Sequence, residues 1–229
     1  RSVAEHAVGM MFALAKNFVE AHNELKNGNW KIRDANKAFE LQGKKVGFIG
    51  LGAIGRETQA LCKAIGMETA GYDPYISREY VEEMGCEYYE DYRELLKVCD
   101  FISIHVPLAE ATKGMIGVKE LSLMKKTALL INCSRGGIVD EKALAEALNT
   151  GRIAGAGTDV FAEEPPTTDH PLLHAKNMIY SPHSAAQTKE AVIRMADMCI
   201  RGCLAVLNGE KWQYVANPKV YEHPKWAER

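Results

Sequence analysis

Arg135, Glu164 and His183 each stand just beyond an apolar run, and their side chains are of types that could do chemistry together. The run 128–131 passes through Asn132, Cys133 and Ser134 into Arg135. The stretch 153–160 passes Asp159 on the way to Glu164, and the run 178–180 leads through Ser181 and Pro182 to His183. If these runs are parallel strands, the three side chains collect along the carboxyl edge of one sheet, where open α/β sheets bind ligands. A guanidinium offers a planar fork to a carboxylate or carbonyl oxygen. An imidazole moves a proton near neutral pH, and a carboxylate beside it favours the charged ring. These are the parts needed to hold an anionic carbonyl compound and transfer a proton, a contribution of typically ~10²–10⁴ in rate.

The elements that must position them follow from periodicity. Strands are predicted near 45–49, 68–72, 101–105, 128–132, 154–159 and 177–180. Helices are predicted between them, near 54–65, 77–84, 91–97, 117–124 and 140–149. Alternation of this kind implies βαβ units and an α/β fold with a doubly wound parallel sheet. The strands are short and mostly apolar, as expected when helices cover both faces. An amphipathic helix is predicted over 2–19, with Val3, Ala7, Met10, Met11, Leu14 and Phe18 on its apolar side, and a connection of little regular structure over 23–42. A last helix is predicted over 185–208, drawing apolar contacts from Ala191, Met195, Met198, Ile200, Cys203 and Val206, with a polar and aromatic tail after it. The resulting division is an α/β domain over 1–186, its core at 43–186, and a C-terminal helix and tail over 187–229.

The first predicted strand runs directly into Gly50-Leu51-Gly52-Ala53-Ile54-Gly55. The glycines allow a tight turn, close approach of backbone to a pyrophosphate, and close packing of helix on strand. The helix amino end then offers N–H groups and a positive dipole to the phosphates. The second strand ends at Asp73, whose carboxylate can accept from both ribose hydroxyls of NAD and would repel the extra phosphate of NADP. Strand, glycine turn, helix, strand and acid together are far more specific than a glycine motif alone.

The ordered segments GLGAIG, FISIHVPLAEATKGMI, INCSRGGIVDEKAL, GTDVFAEEPP and SPHSAAQT resemble the D-isomer-specific 2-hydroxyacid dehydrogenase family. The opening SVAEHAVGMMFALAKN is similar to the helix leading into that family's nucleotide domain, so the resemblance runs from residue 2 to about 208. It implies roles residue by residue. Arg135 matches the substrate-binding arginine, Glu164 the acid that partners the histidine, and His183 the general acid/base. Ala53 and Ile54 match positions against the pyrophosphate, and Asp73 the ribose acid. Val106, Cys133, Ser134 and Asp159 match positions lining the adenosine and nicotinamide pockets, with Asp159 near the carboxamide. Where many relatives carry glycine, two residues after the histidine, this chain has Ala185, small enough to imply little change at the nicotinamide. The resemblance also implies an NAD cofactor, a small 2-hydroxy or 2-oxo acid substrate (phosphoglycerate-like, hydroxypyruvate-like or glyoxylate-like) and pairing as a homodimer. The family's first substrate-domain segment has no counterpart before Arg1, which opens inside a helical pattern, so the polypeptide is expected to extend further toward its N-terminus.

Composition narrows the remaining classes. The chain has 229 residues, 47% hydrophobic and 25% charged, with a formal net charge of −2, which gives no electrostatic case for nucleic acid. No apolar run is long enough to span a bilayer, so no membrane partner is expected. Six cysteines without a CxxC pair suggest a reduced, cytoplasmic setting, and Cys199 and Cys203 are expected in the core. No metal site is expected: His170 and His174 flank Pro171 in a loop that makes a poor ligand set. His105 reads as a packed or cofactor-adjacent side chain. The reading that these features favour is an NAD-dependent 2-hydroxyacid dehydrogenase. The alternatives are an NAD-sensing binding module of corepressor type, or an isolated cofactor domain without turnover.

Overall fold

The computed structural model describes residues 1–35 and 38–227. Two units make up the chain, Arg1–Ala185 and Ala186–Arg229.

The first unit opens with α1 (Ser2–Ala15), α2 (Phe18–Lys26) and the short α3 (Ile32–Ala35). The chain then alternates: β1 (Lys45–Ile49), α4 (Ala53–Ala64), β2 (Glu68–Tyr72), α5 (Arg78–Glu83), β3 (Glu87–Tyr88), α6 (Tyr92–Val98) and β4 (Phe101–Ile104). After these come α7 (Val118–Leu123), β5 (Leu129–Asn132), α8 (Glu141–Asn149), β6 (Gly155–Thr158), a 3-10 turn (Pro171–His174) and β7 (Met178–Tyr180). The seven strands form one all-parallel sheet in the order β3-β2-β1-β4-β5-β6-β7. The order reverses between β1 and β4, the position where such sheets open a ligand crevice.

Side-chain alternation builds a core on each face. Val46, Phe48, Phe101, Leu129 and Ile131 point to the face that carries Met10 and Met11 of α1. Ile49, Ile102, Ile104 and Leu130 point to the face that carries Leu95 of α6, Leu121 of α7 and Leu144 of α8. Each large side chain so enclosed contributes about 1.5–3 kcal/mol of transfer free energy. Close approach of α6 requires Gly47, because a Cβ there would lie 2.6 Å from the Leu95 side chain.

Several expectations need correction. The leading helix does not run to residue 19: it breaks at Asn17, which adopts φ 53°. Asparagine tolerates this left-handed conformation, and the break turns the chain so that Phe18 is exposed rather than packed. The 23–42 stretch holds the end of α2 and all of α3, with residues 36 and 37 of it outside the described residues. The two-residue strand β3 is too short to show alternation in sequence.

The second unit holds α9 (Lys189–Leu207), a 3-10 turn (Pro218–Glu222) and α10 (Pro224–Ala227). The Tyr221 hydroxyl donates to the Trp212 carbonyl and accepts from its N–H, at 2.9 and 2.8 Å, and Trp212 lies over Gly202 of α9. Contrary to expectation, Cys199, Cys203, Met195, Met198 and Ile200 are exposed, while Ala191 and Ala205 are the buried positions of this helix. Helical spacing marks an apolar stripe but does not supply the surface that would cover it.

Candidate functional site

The glycine turn lies at the reversal of strand order. Gly50 follows β1 with φ 96°, and its N–H donates to the Tyr72 carbonyl at 2.8 Å. A Cβ on Gly50 would lie 2.8 Å from the His105 carbonyl and 2.9 Å from the Val106 side chain, so the turn depends on glycine. Gly55 lets α4 pack onto the Gly50 carbonyl, while Gly52 faces open space. Gly52, Ala53 and Ile54 are exposed, and no side chain caps the start of α4. Free N–H groups therefore stand at an open helix N-terminus, as a pyrophosphate requires. Asp73 is buried at the end of β2; it accepts from the Leu51 N–H at 2.8 Å and from the Tyr75 N–H at 2.9 Å. The acid is thereby fixed beside the turn. Arg78, five residues after Asp73, pairs with Glu90 at 3.0 Å and with Glu82 at 3.7 Å. A glycine cradle, an uncapped helix and a fixed acid fit an NAD dinucleotide.

His105 bonds Ser103 through Nε2 at 2.8 Å and stacks against Phe48, and burial pushes its imidazole down to about 4. It is neutral at physiological pH, a packed side chain beside the turn.

Arg135, Glu164 and His183 follow β5, β6 and β7, three neighbouring strands, at their carboxyl ends. Asn132 shapes the first loop. Its Oδ1 accepts from the Ser134 N–H and hydroxyl at 3.1 and 2.8 Å, and its Nδ2 donates to the Arg135 carbonyl at 3.0 Å. Arg135 is exposed, with Nη1 donating to the Ser134 carbonyl at 2.7 Å. The Cys133 thiol is buried against the Met10 sulfur at 3.8 Å, and burial, then the Asp159 charge, pushes it up to about 12. Its side chain belongs to the core, which leaves the main chain at the rim.

Asp159 organises the last loop. Its carboxylate, 1% exposed, accepts from the Ser181 hydroxyl at 2.5 Å and from the Ser184 and Ala185 N–H groups at 2.9 Å each. His6 of α1 meets the same Ser181 hydroxyl at 2.8 Å. These bonds tie residues 181–185 to the end of β6. They hold His183 at φ 52°, a left-handed conformation that costs a non-glycine residue about 1–3 kcal/mol. The His183 N–H donates to the Asp159 carbonyl at 2.8 Å.

His183 Nδ1 lies 2.7 Å from Glu164 Oε2, and Glu164 Oε1 accepts from the Phe161 N–H at 3.0 Å. The His183 ring first, then the Phe161 N–H, hold the Glu164 carboxyl below the ordinary carboxylate range. An ionised Glu164 can only accept, so the His183 proton sits on Nδ1 and leaves Nε2 free for a substrate. The pair borders an open cleft of about 470 Å³ lined by Phe161, Pro165, Leu173, Tyr180 and Pro182. Among the described residues, no hydrogen bond or ion pair joins Arg135 to either member of the pair. The structure thus joins Glu164 to His183 and sets Arg135 on the same rim without direct contact. Sequence reasoning missed Ser181 and His6. Ser181 had a signal, two residues before the histidine; His6, in a helix far along the chain, had none.

Comparison with known proteins shows the family. The family described as D-isomer specific 2-hydroxyacid dehydrogenase, NAD binding domain, matches residues 8–185. The chain is 47% identical to the D-3-phosphoglycerate dehydrogenase of Methanocaldococcus jannaschii over 216 residues, which covers 94% of this chain and 41% of that protein. It is 38% identical to the glyoxylate reductase of Korarchaeum cryptofilum over 222 residues, 96% of this chain and 67% of that one. The crystal structure of D-lactate dehydrogenase with NAD+ from Lactobacillus jensenii superposes with a TM-score of 0.85 at 34% identity, over 95% of this chain and 68% of that one. The chain therefore spans about two-fifths of the phosphoglycerate dehydrogenase it matches and about two-thirds of the glyoxylate reductase. With its parallel sheet, glycine turn and rim of acid and imidazole, the chain belongs to the D-isomer specific 2-hydroxyacid dehydrogenase family, as an NAD-binding domain.

Proposed function

We propose that the protein is an NAD-dependent oxidoreductase acting on a small D-2-hydroxy acid or its 2-oxo form, with His183 as general acid/base, Glu164 as its partner and Arg135 as substrate anchor. Phosphoglycerate-like, hydroxypyruvate-like and glyoxylate-like acids are the leading substrates, in keeping with the relatives named phosphoglycerate dehydrogenase and glyoxylate reductase. The observation that carries this reading is the 2.7 Å bond from His183 Nδ1 to Glu164, which leaves Nε2 without a bond among the described residues on a side chain that borders an open cleft.

Bound NAD supplies the hydride acceptor or donor. In oxidation His183 Nε2 takes the proton from the hydroxyl on carbon 2; in reduction it returns that proton to the carbonyl oxygen. Glu164 stabilises the imidazolium that forms and fixes the ring orientation. Arg135, exposed on the rim, binds the substrate carboxylate and carbonyl through its fork. Gly50, Gly52, Ala53, Ile54 and Gly55 hold the pyrophosphate, Asp73 the ribose, and Val106, Ser134, Ala185 and the main chain of Cys133 the rest of the cofactor. Asp159 acts on the nicotinamide pocket through the 181–185 loop it ties down.

Residues 1–186 serve as the cofactor domain, and 187–229 return toward a substrate domain. The exposed Phe18, Val19, Leu25 and Trp30 favour a homodimer, and six free cysteines favour the cytoplasm. Among the described residues no helix is long and apolar enough to cross a membrane.

NADH oxidation by the full-length protein with a panel of 2-oxo acids tests the reading. Hydroxypyruvate, glyoxylate or phosphohydroxypyruvate should be turned over, and His183→Ala should lower kcat by ~10²–10⁴ while NADH still binds. Equal turnover by that variant rejects the assigned role. Tight NADH binding with no turnover of any 2-oxo acid replaces the enzyme with a binding module.

A further inference from the structure

A second carboxylate–imidazole pair binds the same turn as the first. Glu141 is the first residue of α8, and His170 caps the 3-10 turn; their side chains are 14% and 15% exposed. Glu141 Oε2 meets His170 Nε2 at 3.0 Å, and its other oxygen, Oε1, accepts from the Ala162 N–H at 2.7 Å. His170 Nδ1 accepts from the Leu172 N–H at 3.3 Å, so the ring proton sits on Nε2 and points at Glu141. The His170 ring also meets the Phe161 ring edge-on, with centroids 5.4 Å apart and planes at 87°.

The consequence lies in the turn between them. Phe161 and Ala162 present consecutive N–H groups to two different carboxylates. The Phe161 N–H binds Glu164 Oε1, and the Ala162 N–H binds Glu141 Oε1. Glu164, whose other oxygen meets His183, closes the same short turn that Glu141 holds. Opposite this turn, Gly136 leaves room for the backbone of Phe161 and Ala162, where any Cβ would collide. The turn is thus walled by Gly136, entered through Thr158, which bonds both the N–H and the carbonyl of Val160, and held at Ala162 by Glu141. His170 in turn holds Glu141.

We propose that Glu141 and His170 form a positioning pair that fixes the 161–164 turn and thereby aims the Glu164 carboxylate at His183. This rests on the reading of Glu164 and His183 as the acid–base pair. Neither Glu141 nor His170 touches substrate or cofactor; both act through the main chain of the turn. A displacement of about 1 Å at a reacting group can cost ~10²-fold in rate, so a slack turn should appear in kcat.

The test uses the full-length protein with hydroxypyruvate and NADH, together with carbon-13 NMR of the Glu164 carboxyl in the absence of ligands. Glu141→Ala and His170→Ala should lower kcat by roughly 10–10²-fold with KM and NADH Kd within about twofold of wild type. The Glu164 carboxyl should titrate higher, toward the ordinary carboxylate range, because its bonds to His183 and Phe161 slacken. Glu141→Gln keeps an oxygen for the Ala162 N–H but turns its amide N–H groups toward the His170 Nε2–H, donor against donor, so it should restore only part of both, and it carries the test if Glu141→Ala does not fold. Folded variants with wild-type kcat and an unmoved Glu164 titration would overturn the proposal, provided that Glu164→Gln still abolishes turnover; the pair would then be structural only. Full activity in Glu164→Gln would instead reject the acid–base reading and this pair's role with it.

Discussion

Gly136 stands against the carbonyl of Phe161 so closely that a single added methyl group could not fit between them. The loop after β5, which carries Arg135, and the loop after β6, which carries Glu164, therefore share one wall. The contact ties the loop that bears Arg135 to the loop that bears Glu164.

Gly136→Ala should consequently be harmful although it adds one carbon. The colliding atoms are backbone, which cannot rotate away as a side chain could. Overpacking of this kind costs about 1–3 kcal/mol. A lower urea midpoint with an unchanged m-value, together with reduced kcat, is the expected result. Wild-type stability and turnover would show that the two loops part easily.

Asp73 should set both affinity for NADH and discrimination against NADPH. It already accepts from the Leu51 and Tyr75 N–H groups, so Asp73→Ala also strips the turn of a buried acceptor. Loss of a hydrogen bond to a charged group is worth about 1.5–3 kcal/mol, roughly tenfold or more in Kd. Fluorescence titration should show weaker NADH binding and a smaller NADH/NADPH ratio. An unchanged ratio would remove Asp73 from cofactor selection.

Asp100 predicts part of the acid sensitivity. Burial pushes its carboxyl up, but the Lys125 ammonium at 2.8 Å and the Lys45 N–H at 3.0 Å outweigh that and hold it below its ordinary value. A carboxyl depressed in the folded state contributes stability that is present above its unfolded pKa of about 3.9 and lost as pH falls through the lower folded value. Urea unfolding followed from neutral pH down to pH ~3 should show a shallower loss of stability in Asp100→Asn than in wild type. Parallel curves would assign the acid sensitivity elsewhere. Glu164, depressed by His183 and Phe161, has the same sign, and its exposure to solvent makes its share smaller.

The cysteines divide into two reactivity classes. Burial pushes the thiols of Cys62, Cys99 and Cys133 up to about 12 and that of Cys86 up to about 11, whereas Cys199 and Cys203 are exposed. The thiolate is the nucleophile, so iodoacetamide at neutral pH should label Cys199 and Cys203 quickly and the other four after unfolding. Peptide mapping that finds Cys62 or Cys133 labelled in native protein would contradict the burial.

Much of this protein was legible along the chain because its signals are local. A strand of period two buried on both faces reads as a short apolar run, which placed six of the seven strands and left out only the two-residue β3. The glycine turn was legible because it needs a residue without Cβ at Gly50 and a helix directly after it. The positions of Arg135, Glu164 and His183 were legible because each follows a strand end. Tertiary structure decided what those ends touch. The anchoring of the His183 loop by Asp159 and His6 and the hold of Glu141 on the Ala162 N–H both join segments far apart in the chain. Such contacts depend on strand order and register, which bring distant loops to one rim; periodicity records only which face a residue takes, not which loop it will meet there.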